Sequence, residues 1–124
     1  MHFTQREQRA LRQAGVEQTT IEAASEAVVA ATDAAAEDLE AFFADLETVH
    51  SDMDVAHSSA DVQTHTVEYL DLFTHADDIR GYLRFDSWGV PVEGGRVLND
   101  DVVELTLGPT VDGRVRFATE RDAL

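Results

Sequence analysis

The chain has 124 residues, enough for one hydrophobic core, and no cysteine, which excludes disulfides, thiolate metal sites and cysteine nucleophiles. Twenty-five acids face nine bases, every base is Arg, and the formal charge is −16. The longest unbroken apolar run, Ala27 to Ala31, is far shorter than the roughly 20 residues that cross a bilayer. The N-terminus lacks the apolar stretch of a secretory signal, so the expectation is a cytoplasmic protein with no membrane contact.

The charge is segregated. From Gln13 to Ile79 there are sixteen carboxylates and no Arg, while the first twelve residues carry Arg6, Arg9 and Arg12. Disorder does not explain this, because 44% of residues are hydrophobic and they recur periodically. Adaptation to salt does: near 1 M ionic strength the screening length is about 3 Å, so carboxylates hardly repel one another. The opening M-H-F-T-Q-R-E-Q-R-A-L-R-Q-A-G-V and the segment G-Y-L-R-F-D-S-W-G-V resemble small uncharacterised haloarchaeal proteins. That resemblance implies a habitat and no activity.

In chain order, Thr4-Gln-Arg-Glu7 is a capping box that starts a helix over 4–14, ended by Gly15. Thr19-Thr-Ile-Glu22 reads as a second capping box opening a helix over 19–49. Its seam is Ile21, Val28, Ala35, Phe42 and Val49, widened by Leu39 and Leu46. A helix of that length would run about 45 Å, against a diameter of about 35 Å for a compact chain of this size. The mismatch means that the helix either breaks, at Thr32-Asp33, or protrudes and packs on a second copy; the seam favours the second, a homodimer.

Residues 62–74 are rich in β-branched and aromatic side chains, with a turn at His75-Ala-Asp-Asp78. A third helix over 58–76 is the competing assignment. Ile79, Gly81, Leu83 and Phe85 alternate with Arg80, Tyr82, Arg84 and Asp86 at strand period. Short strands follow at Val90–Val92 and Arg96–Leu98, split by Glu93-Gly-Gly95. A last hairpin joins Val102–Leu107 to Arg114–Thr119. The expected fold is a single α+β domain over 1–124. Its helical part, about 4–50, packs on a C-terminal antiparallel meander over about 62–119.

Three places could carry function. The first is T-V-H-S-D-M-D-V-A-H-S-S-A-D, residues 48–61. On a helix, His50, Asp54, His57 and Asp61 would share one face, where His65, Glu68 or His75 could complete a metal shell. His50, His57 and Asp54 could equally serve as general acid and base. No established metal-binding spacing is present, and these residue types also make turns and caps, so the stretch reads as a polar connection without a metal or cofactor. The second place, Ala14-Gly-Val-Glu-Gln-Thr-Thr-Ile21, has helix-turn-helix spacing, yet its second helix offers Glu17, Glu22 and Glu26, which repel phosphates. DNA is therefore disfavoured, and the three arginines of the first helix are expected to balance the acidic second one. The third is the Trp88 loop with neighbouring Tyr82 and Arg84, read as a ligand or partner surface, against the commoner case of a core Trp88 with glycines serving turns.

The leading expectation is a non-enzymatic protein that self-associates and binds a partner. A small-ligand or metal-dependent enzyme built on residues 50–68 comes second, and a DNA-binding regulator third.

With the charge unbalanced over so long a stretch, weak screening should favour the unfolded chain. Melting followed by circular dichroism should show the midpoint rising steadily from dilute buffer to molar KCl. A flat salt series would refute salt adaptation.

Overall fold

The computed structural model describes residues 1–53, 62–108 and 113–124. Helix α1 spans Gln5–Gln13. Its capping box is formed: the Glu7 amide donates to Thr4 Oγ1 at 3.1 Å and the Thr4 amide to Glu7 Oε1 at 2.8 Å. Gly15 takes a φ of +96°. There the Val16 amide reaches Leu11 O (2.9 Å) and the Gly15 amide reaches Arg12 O (3.0 Å), the paired bonds of a Schellman stop.

Helix α2 spans Gln18–Ala44, and two of the expected boundaries move. The Thr19–Glu22 box is not formed. The helix instead begins at Gln18, whose side-chain amide donates to Gln8 Oε1 (3.1 Å) and whose carbonyl accepts from Arg12 (2.6 Å), drawing the first turn toward α1. At the other end the helix stops at Ala44 rather than at residue 49, because Thr48–Ser51 is a strand, β1. Val49 is fully buried there, so its sevenfold spacing from Phe42 did not reflect a shared helix face.

Five more strands follow: β2 Gln63–His75, β3 Asp78–Phe85, β4 Gly89–Asn99, β5 Val102–Leu107 and β6 Gly113–Ala118. The region around 62–74 is thus strand and not a third helix. All neighbours are antiparallel, and β1 pairs with both β2 and β6, closing the meander into a barrel. Beyond the last pair, the Asp52 amide donates to Arg116 O (3.2 Å) and the Arg116 amide to Asp52 Oδ1 (2.8 Å), which extends the closure.

The two short strands expected around Glu93-Gly-Gly95 are one strand, β4, with register shifts at Val92/Gly94 and at Val97/Asn99. The glycines let the strand bend without ending. They also admit α2, which packs across β2, β3 and β4. Leu39 and Phe43 of α2 enter a core with Val49, Leu83, Phe85, Val90, Val92, Val103, Leu105 and Phe117. The Phe43 and Phe117 rings meet edge to face at 5.5 Å. Further along α2, the Thr74 hydroxyl donates to the Asp33 carboxylate.

Most of the predicted α2 seam is used inside the protomer, Val28 being half-buried. Ile21 is 1% exposed, and Ala35, Phe42 and Leu46 pack against the core. The buried α2 positions are Ile21, Ser25, Ala36, Leu39 and Phe43, spaced for one helix face and not for a coiled-coil seam.

A methyl placed on Gly95 would come within 2.7 Å of Leu105 Cδ2 and 3.0 Å of Leu39 Cδ1. Gly95→Val should therefore cost about 1–3 kcal/mol by overpacking, measured by denaturant unfolding in molar KCl. Unchanged stability would mean that α2 does not seat at this point.

Candidate functional site

Barrel pairing places His50 and His65 on opposite faces of one wall. Val49 pairs with His65 and His50 with Thr64, so His65 turns inward with Val49 and Ser51 while His50 turns the other way with Thr64. His50 Nδ1 lies 3.0 Å from Thr64 Oγ1. A shared helical face for His50, Asp54, His57 and Asp61 does not exist, because His50 belongs to a strand. Asp54, His57 and Asp61 lie outside the described residues. Among the described residues no group of three or more His, Asp or Glu gathers as a metal shell.

Inside the wall, Ser51 Oγ and His65 Nε2 stand 2.7 Å apart, and Ser51 Oγ also accepts the Met53 amide at 3.3 Å. The hydroxyl can donate to Nε2 or accept from it while still accepting the Met53 amide, so both contacts are satisfied in either imidazole tautomer. The imidazole stacks on Phe85 at 4.6 Å and meets Trp88 and Phe117 at 6.4 and 6.2 Å. Burial among these rings holds the His65 pKa below its ordinary value, reinforced by His50 and opposed by Asp86.

A serine bonded to a histidine is half of a nucleophile–base pair. Here Ser51 has no exposed surface, and among the described residues no hydrogen bond joins Asp86 to the ring. The arrangement ties β1 to β2 with the Ser51 hydroxyl shut away from solvent. No motif search would find it, since fourteen residues and a strand reversal separate the two side chains.

The expected partner surface divides. Trp88 packs on Phe85 (4.9 Å) and lids the core, with its carbonyl accepting the Phe85 amide at 2.7 Å. Tyr82 and Arg84 stay on the outer face. The Tyr82 ring covers Gly89, where an added methyl would come within 2.7 Å of it, and Arg84 pairs with Glu68 at 3.5 Å. Cross-strand pairing sets Tyr69 opposite Arg84, Asp71 opposite Tyr82 and Phe73 opposite Arg80. Phe73 is 64% exposed, Tyr69 44% and Tyr82 36%. Arg80 shares the outer face already read for Tyr82 and Arg84, whereas Tyr69 and Phe73 of β2 were missed as surface residues. The alternation along β2 would have shown them had its bulge between Val67 and Tyr69 been foreseen.

The α1–α2 corner also differs from expectation. Arg12 bonds Gln18, and among the described residues none of Arg6, Arg9 and Arg12 forms a salt bridge with an α2 carboxylate. No described helix is long and apolar enough to cross a membrane.

Residues 1–122 match a family of unknown function (DUF7532), and the chain belongs to that family. No curated protein and no solved structure matches it.

With its folded pKa below the unfolded value of about 6.5, His65 binds fewer protons in the native state. Its contribution to stability is complete above about pH 6.5 and is lost as pH falls toward the lower folded pKa. In molar KCl, which screens the carboxylates, the wild-type midpoint should fall between pH 7.5 and 5.5 (about a two-unit window). His65→Gln should flatten that slope. An equally steep slope in the variant would mean that the ring carries no such linkage.

Proposed function

We propose that this protein is a non-enzymatic, salt-adapted binding module that pairs with a second copy of itself through the outer face of β2 and β3. The observation that carries the reading is the set Tyr69, Phe73 and Tyr82, which are exposed on one face beside Arg80 and Arg84. Exposed aromatics with Arg are the composition of interface centres. On a chain this acidic, where carboxylates dominate the surface, large apolar groups facing water have a cost that an interface would remove.

A second copy suits this face better than an unrelated partner because both charge signs are already present. Glu68 and Asp71 lie among Arg80 and Arg84, so a two-fold rotation can set the acids of one copy against the arginines of the other. The seam along α2 offers less, since Ile21 is buried and Ala35 and Phe42 pack against the core of the same protomer. An enzyme built on His50 and His65 is disfavoured, since the two rings point to opposite faces.

Sedimentation equilibrium in molar KCl should give about twice the chain mass. The double variant Phe73→Asp, Tyr69→Asp should sediment as a monomer while keeping its melting midpoint within a few degrees, because neither ring belongs to the core. A monomeric wild type, or a variant that still dimerises, would sink the proposal.

A further inference from the structure

On the other side of the barrel, β4, β5 and β6 carry a six-position grid on their outer face. One row is Arg96, Glu104 and Arg116, and the next is Gly94, Thr106 and Arg114, each residue directly opposite its neighbours. Glu104 is only 8% exposed. Arg96 Nε lies 3.1 Å from its Oε1, and Arg116 Nε lies 3.6 Å from its Oε2. Both carboxylate oxygens are therefore engaged, and its pKa is held low by the Arg96 hydrogen bond, with Arg114 and Arg116 adding charge. Two arginines answer that one carboxylate. Arg114 forms no salt bridge among the described residues, so the grid carries a net charge of +2 on a chain of −16.

Between the rows lies a shallow groove of about 240 Å³, lined by Gly95, Arg96, Glu104, Thr106 and Arg114. At its corner Gly94 leaves room: a methyl there would stand 3.7 Å from Thr106 Oγ1. We infer that this groove binds a small doubly charged oxyanion, a phosphate group, held between Arg96 and Arg114 with the Thr106 hydroxyl as a further donor. Guanidinium matches a tetrahedral oxyanion in shape as well as charge, so the contact survives in salt better than bare Coulomb attraction does. The surrounding acidic surface argues for a compact ligand, since an extended polyanion such as a nucleic acid needs a track of cations along its length.

Free phosphate and a phosphate ester share this chemistry, and one experiment separates them. Inorganic phosphate and AMP would each be titrated into isotopically labelled protein in molar KCl, following the Arg Nε–Hε and Thr106 amide signals. Saturable shifts at Arg96, Arg114 and Thr106 are expected, with affinity in the millimolar range. Tighter binding of AMP assigns the ester, and equal or weaker binding assigns the free anion. Arg114→Gln should weaken binding at least about tenfold with an unchanged melting midpoint. Thr106→Val, which keeps the shape of the side chain, should weaken it less. Absence of saturation with both ligands, or wild-type affinity in Arg114→Gln, overturns the inference.

Discussion

The pairing of Thr48–Ser51 with β2 on one side, and of His50 and Ser51 with β6 on the other, is the constraint on which the rest of the structure depends. Without β1 the sheet would expose the edges of β2 and β6, with a row of unpaired amides and carbonyls along each. To reach that position the chain must leave α2 at Ala44, and a helix continuing to residue 49 would leave the barrel open. The short helix and the closed barrel are therefore one decision. Ser51 and Asp52 reinforce it, one bonding His65 inside the wall and the other extending the pairing with β6.

Closure also decides what each side chain can do. Since the side-chain period of a strand is two, His50 and His65 could meet only if they shared a face, and the register between β1 and β2 denies them one. The same rule builds the two outer surfaces. On β2 and β3 it gathers aromatics with arginines of one face; on β4 to β6 it gathers three arginines around one carboxylate. Both are patches of exception on an acidic chain. Most of its acids stand in the Arg-free stretch from Gln13 to Ile79, whereas six of its nine arginines lie on or after β3.

Elements set by neighbours in sequence were legible in advance. Thr4 and Glu7 are three residues apart and cap α1 through bonds that no other part of the fold supplies, and Gly15 ends it because a left-handed backbone suits glycine. The strict alternation of residues 79–86 likewise anticipated β3, and the last hairpin, read over 102–107 and 114–119, anticipated β5 and β6. The second capping box failed because Gln18 had a better use in bridging to α1. The Gly94-Gly95 pair looked like a break and is instead the place where Leu39 of α2 approaches β4.

The amino-acid sequence alone determined the class of fold, the acidic character and the absence of thiol chemistry, because these follow from composition and from periodicity within single elements. Only the tertiary structure decided that residues 48–51 are a strand. Their helical spacing and their β-branched content point in opposite directions, and pairing with β2 and β6 outweighs local preference. It alone brought Ser51 to His65 across fourteen positions and set Arg96, Glu104 and Arg116 in a row from three strands. Register between strands is settled by the packing of whole faces, and no local stretch of sequence carries that information.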